Sequence, residues 1–219
     1  EWILHATNDS ASPDAVYAYR IELMAKQIRE LFGHVPGNLE EFSLASQISQ
    51  AEAKKFFIEY FRQQRDFRTG ILWWNLLDCW PQFSDAVVDY YFVKKLAYSY
   101  IQTSQQPLLL LIGEPDGWNQ SLTAVNDSPC VLSFSYRLTD GESKQLLAQG
   151  EAQLSPNQKK ELFSLPFSQG EKHFYLIEWE SELGKGKNHY LCGLPPFDLQ
   201  WYRTLASSYD LLPQEGNLP

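Results

Sequence analysis

Apolar and polar positions recur along this chain with two different periods, and the change falls near residue 103. Before it, apolar residues return every three or four positions, the spacing of one face of an α-helix. Tyr17, Ile21, Met24, Ile28 and Leu31 make one such stripe. Ser12 is a good N-cap for it, Pro13 suits the first helical position, and Asp14 favours the positive helix end. Gly33 is placed to stop the helix, with Pro36 beyond it. The pattern predicts a helix over 13–32. Asn38 can cap a short helix through Phe42, and Ser49-Gln50-Ala51-Glu52 fits a capping box that restarts or reinforces a longer helix over 47–64. Arg65, Asp66 and Gly70 mark a loop. Ile71 to Trp74 read as the only strand of this half, and another helix follows over 92–101.

After residue 103 the period shortens. Segments 107–112, 121–126, 131–138, 146–154, 160–165, 173–180 and 188–191 alternate, or carry β-branched and aromatic residues, as strands do. Turn chemistry separates them, such as Pro115-Asp116-Gly117, Asn126-Asp127-Ser128-Pro129, Asp140-Gly141 and Gly184-Lys185-Gly186. This predicts an immunoglobulin-like β-sandwich over 104–205, followed by an irregular tail over 206–219. The Cys–Trp–Cys pattern of antibody domains is absent, so only the architecture is implied.

Helix, strand, helix with a loop at the carboxyl end of the strand is one repeat of an α/β barrel. Residues 1–103 therefore read as the end of such a barrel. A single strand would leave its hydrogen-bonding edges unpaired on both sides. Its sister strands are expected before residue 1 or on another chain. The opening Glu1-Trp2-Ile3-Leu4-His5, without an initiator Met or signal peptide, fits a piece of a longer polypeptide or a removed tag.

Composition narrows the partners. The net charge of −9 and the scattered Lys and Arg residues argue against nucleic acid. The longest aliphatic run, Leu108 to Ile112, suits a buried strand and is far short of a membrane span. Cys79, Cys130 and Cys192 form no Cys-x-x-Cys pair, which points to a reducing, cytoplasmic compartment. His5, His34, His173 and His189 are isolated from one another, so neither a metal site nor a cofactor is expected.

The densest chemistry lies in Gly70-Ile71-Leu72-Trp73-Trp74-Asn75-Leu76-Leu77-Asp78-Cys79-Trp80-Pro81, which holds three of the seven tryptophans. Rings that stack on the apolar face of a pyranose, beside an amide and a carboxylate that hold its hydroxyls, make a sugar site. A core strand with a structural loop would use the same residue types.

The order of these features resembles the carboxyl-terminal part of glycoside hydrolase family 2, in its β-mannosidase-like branch. That family carries a Gly-x-Leu-x-Trp-x-x-x-Asp-x-Trp-Pro phrase on its eighth barrel strand, matched by Gly70, Leu72, Trp74, Asp78, Trp80 and Pro81. A Ser, an Asp-Tyr pair and a last helix follow, matched by Ser84, Asp89-Tyr90, Lys95, Ala97 and Tyr98. The stretch from Ser46 to Glu52 and the Glu59-x-x-Arg62 pair resemble the preceding helix. Leu77 departs, since many relatives carry Asn there.

The resemblance implies a retaining exo-β-glycosidase acting on a carbohydrate substrate, with two glutamates flanking the scissile bond. Those glutamates belong to the fourth and seventh strands of the family's barrel, so this chain is expected to hold no catalytic residue and to need the rest of a parent polypeptide. Trp74 would floor the reacting subsite, with Asn75, Asp78 and Trp80 lining the same mouth. Pro81 makes a rigid turn that can equally place Trp80 beneath the loop. The alternative function is a non-catalytic carbohydrate-binding or interaction sandwich.

Overall fold

The computed structural model describes residues 20–212. The predicted start of the first helix, 13–19, and the tail from 213 onward lie outside the described residues. Among the described residues, four helices, α1 (Arg20–Phe32), α2 (Leu39–Gln63), α3 (Leu96–Ser104) and α4 (Leu199–Ser208), accompany seven strands. The strands are β1 (Leu108–Ile112), β2 (Asn119–Asn126), β3 (Leu132–Asp140), β4 (Leu146–Leu154), β5 (Gln158–Pro166), β6 (His173–Ser181) and β7 (Gly184–Cys192). Two compact units draw on interleaved segments. The helical unit uses the described parts of Glu1–Lys55, Leu72–Tyr100 and Pro195–Pro219, and the sandwich unit uses Phe56–Ile71 and Ile101–Leu194.

The sandwich unit contains all seven predicted strands, each within a few residues of its expected bounds. One sheet has the order β1-β2-β5 and the other β4-β3-β6-β7, with every pairing antiparallel. Alternation explains the core between them. Leu132, Phe134 and Leu138 of β3 point inward while Ser133, Ser135 and Arg137 stay exposed. Trp179 of β6 lies across Gly186 of β7, where any Cβ would collide with the indole, so glycine is required by the close approach. Asn126 ends β2 by donating to the carbonyls of Cys130, Leu154 and Ser155 at 2.8, 3.2 and 3.1 Å, which ties the end of β2 to the end of β4.

The last turns of α2 belong to this unit and are held by charge. The buried Glu59 carboxylate accepts from Ser104 Oγ at 3.2 Å and from Asn188 Nδ2 at 2.9 Å. Arg62 donates to the Ser104 carbonyl at 2.6 Å and pairs with Asp127 at 2.8 Å. Burial pulls the Arg62 guanidinium below its ordinary pKa, and Asp127 opposes that pull.

In the helical unit, Gly33 closes α1 as predicted, adopting φ +80° and donating its amide to Arg29 O at 2.8 Å. Asn38 caps α2 as expected, its Oδ1 accepting from the Glu41 amide at 2.9 Å. Helix α2 then continues without a break to Gln63, so the separate start at Ser49 is corrected. The Ser49 hydroxyl instead donates back to Ala45 O at 2.9 Å, a bond made inside a helix.

Three further expectations are corrected. Ile71–Trp74 is extended but belongs to no sheet, because no neighbouring strand among the described residues supplies its ladder. The described residues show no barrel sheet, as expected if its other strands lie outside this chain, while the sandwich part of the expected fold is present. The last predicted helix begins at Leu96 and not near residue 92, since Asp89 ties down a turn there. Finally, α4 occupies residues expected to finish the sandwich and begin the tail. Its signal was legible: Asp198 accepts from the Trp201 amide at 2.7 Å, and Leu199, Tyr202, Leu205 and Ala206 form its buried stripe.

Candidate functional site

The residues singled out for sugar binding lie on one segment of the helical unit, 72–81. Extended backbone sends successive side chains to opposite sides. Ile71, Trp73 and Asn75 are half-buried, whereas Leu72, Trp74 and Leu76 are exposed. The segment then runs parallel to a second one: Val87 N donates to Asn75 O at 3.2 Å, Val88 N to Leu76 O at 2.9 Å, and Asp78 N to Val88 O at 3.1 Å. Val88 also bridges Lys94 in the antiparallel sense. A turn between them follows from Asp89, whose Oδ1 accepts from the amides of Tyr91 and Val93 at 2.8 Å each.

Asp78 is the centre of this loop assembly and is only 2% exposed. Its carboxylate accepts from Ser84 Oγ, from Gln82 Nε2 at 3.0 Å, and from Lys95 Nζ at 3.2 Å. These three donors come from both limbs of the loop, so the carboxylate holds residues 78–95 in one shape. A buried carboxylate needs such partners, because desolvation of an unpaired charge is prohibitive.

Trp74 stands apart. Its indole is 73% exposed, while its carbonyl accepts from Lys54 Nζ of α2 at 2.7 Å. Trp73 faces the other way, with the same ammonium 4.9 Å from its ring centroid. Burial lowers the Lys54 pKa from its ordinary value, and Asp85 opposes this. Asn75 donates to Leu77 O at 3.4 Å, and its Oδ1 is shielded from solvent with no hydrogen-bond partner. Trp80 is half-buried. The geometry thus brings Trp74 to an exposed apolar face with Leu72 and Leu76, sends Asn75 to the opposite, half-buried side with Trp73, and turns Asp78 inward.

Two side chains were missed as contributors. Gln50 Nε2 donates to Asp85 O at 2.7 Å, and Lys54 holds Trp74. Their spacing on α2, four residues apart on one face, is the signal that could have found them. Among the described residues no group of three His, Cys, Asp or Glu side chains could hold a metal ion. No helix among them is long and apolar enough to cross a membrane.

No family model matches the chain. Beta-mannosidase B of Thermothelomyces thermophilus is 30% identical over 90 residues, which is 39% of this chain and 10% of that protein. Beta-mannosidase B of Emericella nidulans is 37% identical over 76 residues, 33% of this chain and 9% of that protein. The described fold is similar to the β-D-mannosidase from Dictyoglomus thermophilum, with a TM-score of 0.70 at 23% identity, covering 82% of this chain and 23% of that one. It is also similar to the exo-chitosanase CsxA of Amycolatopsis orientalis, with a TM-score of 0.65 at 17% identity, covering 84% of this chain and 25% of that one. The chain spans about a tenth of the length of the curated relatives it matches and about a quarter of these structures. These likenesses bear out the resemblance to the carboxyl-terminal part of glycoside hydrolase family 2 in its β-mannosidase-like branch.

Proposed function

We propose that this chain serves a retaining exo-β-glycosidase of the β-mannosidase type, to which it supplies a sugar floor and not the catalytic acids. The observation that carries this is Trp74, an indole 73% exposed on a segment whose neighbours are tied down on both sides. An exposed ring on a rigid support can stack on a pyranose without first paying ordering entropy. Asn75 stands on the other side of the segment, its Oδ1 shielded from solvent, and belongs to the support beneath the floor. Asp78 acts beneath it, by holding the loop, and Trp80 is half-buried on the same loop. Of the acidic groups, Glu41 is hydrogen-bonded to Asn38 at the start of α2 and Glu59 is spent on Ser104 and Asn188. The pair of carboxyls about 5 Å apart that retention requires comes, in this proposal, from the parent polypeptide.

The test is hydrolysis of an aryl β-mannoside by the parent polypeptide and by this chain alone. The parent turns over substrate, the chain alone does not, and Trp74→Ala in the parent lowers kcat/KM by about tenfold or more, the scale of a lost stacking contact together with its buried area. Turnover by the chain alone at the rate of an intact glycosidase overturns the assignment of the acids. A second reading, a non-catalytic glycan-binding sandwich, is favoured by Trp118, which is 77% exposed in the turn between β1 and β2. Loss of glycan binding on Trp118→Ala, with Trp74→Ala silent, would select it.

A further inference from the structure

We infer that Lys54 is a positioning residue for Trp74, and that with Gln47 and Gln50 it forms a three-point clamp running from α2 to the loop. In its consequence for sugar binding this rests on the proposed function; in its geometry it does not. Gln47 Oε1 accepts from the Leu96 amide at 3.1 Å, Gln50 Nε2 donates to Asp85 O at 2.7 Å, and Lys54 Nζ donates to Trp74 O at 2.7 Å. Positions 47, 50 and 54 are three and four residues apart, so the three side chains share one face of the helix. Every partner is a backbone group, one at each end of the loop assembly and one inside it. Such a clamp fixes the path of the chain whatever side chains the loop carries.

Lys54 has a second contact that the two glutamines lack. Its ammonium lies over the Trp73 ring while bonding the next residue's carbonyl. It thereby constrains two consecutive residues, and with the backbone set, the Trp74 indole is confined to a few staggered directions. The bonds from Val87 and Val88 fix Asn75 and Leu76; the Trp74 carbonyl is held by Lys54. Preorganisation of this kind improves binding by cutting the ordering cost, not by adding a contact to the sugar.

The experiment records the indole N–H resonances of the full 15N-labelled chain, with Trp74 assigned by its disappearance in Trp74→Phe. Lys54→Met keeps the stem and removes the donor; it shifts both the Trp74 and Trp73 resonances and broadens Trp74. Lys54→Arg restores both. Gln50→Leu, whose partner is Asp85, leaves them closer to their original places. Should Lys54→Met not fold, Lys54→Gln is read in the same way. A Trp74 resonance that stays in place in Lys54→Met, or in Lys54→Gln where that variant stands in for it, overturns the inference.

A titration with methyl β-mannoside in the same samples separates the two readings. Binding that weakens about five- to tenfold in Lys54→Met, the scale of one stacked ring, and recovers in Lys54→Arg supports the positioning role. Indole shifts in Lys54→Met without sugar binding to the unaltered chain keep the clamp and discard the floor as a sugar site in this chain. Sugar binding that is unchanged in Lys54→Met overturns the positioning role of Lys54 in sugar binding and keeps the floor.

Discussion

Two apolar runs of similar composition end in opposite circumstances. Leu108–Ile112 is β1, paired through Leu108–Asn126 to Ile112–Leu122 with β2, and all five of its residues are buried. Ile71–Leu76 is equally extended, yet it joins no sheet, Leu72 is fully exposed, and Trp74 is 73% exposed. Sequence preference is the same in both; the difference is a partner for the backbone. A strand is stabilised by cross-strand pairs and by burial, and neither comes from the segment itself. What β1 spends on packing, the 71–76 segment leaves available at a surface.

The sharpest way to break this contrast is to remove what holds the unpaired segment in shape. Asp78→Ala strips the half-buried Lys95 ammonium of its counter-charge and leaves Gln82 and Ser84 without their acceptor. Breaking one partner of a buried pair costs about 3–5 kcal/mol. Hydrogen exchange is expected to accelerate over residues 75–95 while the amides of β1 and β2 keep their protection. Equal acceleration in the sandwich would show that the two regions do not differ as described.

A matched pair of leucines measures the contrast directly. Leu110 is fully buried in β1 and Leu72 is fully exposed. Leu110→Ala is expected to cost about 2–5 kcal/mol, from lost transfer energy and a cavity. Leu72→Ala should stay within about 0.5 kcal/mol of the unaltered chain, as surface substitutions do. Urea unfolding followed by far-UV circular dichroism reads both. A large loss at Leu72 would mean that this face is covered.

The sandwich was legible in the sequence because its partners lie within the chain, so alternation, turns and burial all agree. The bounds of β4, Leu146–Leu154, coincide with those read from alternation alone. In the helical unit the same signals misled where tertiary bonds won. Ser49 looked like a cap, yet its place in the middle of α2 lets it bond back to Ala45. The segment around residue 92 looked helical, but Asp89 gathers the amides of Tyr91 and Val93 and Phe92 takes φ +66°. Among the site residues, Trp74 and Asp78 could be picked out from their motif, but their division of labour could not. Only the positions of Ser84, Gln82 and Lys95 show that Asp78 faces inward.

Acid offers a gentler probe of the sandwich alone. Burial by itself would raise the Asp140 carboxyl, but hydrogen bonds from the Ser143 amide and hydroxyl, at 2.8 Å each, and from His173 at 2.9 Å leave it below the ordinary carboxylate value. A carboxyl lowered on folding favours the native state above its unfolded pKa of about 3.9, and that contribution fades as pH falls through the folded value. The stabilisation is thus complete near pH 6 and declines below about pH 4. Asp140 closes the turn between β3 and β4 and reaches His173 at the start of β6, so the loss belongs to one end of one sheet. In Asp140→Asn the unfolding midpoint should be lower at pH 6 and should approach that of the unaltered chain at pH 3. A gap between the two proteins that stays constant from pH 6 to pH 3 would show that the charge of Asp140, as distinct from its shape, contributes nothing to the hairpin.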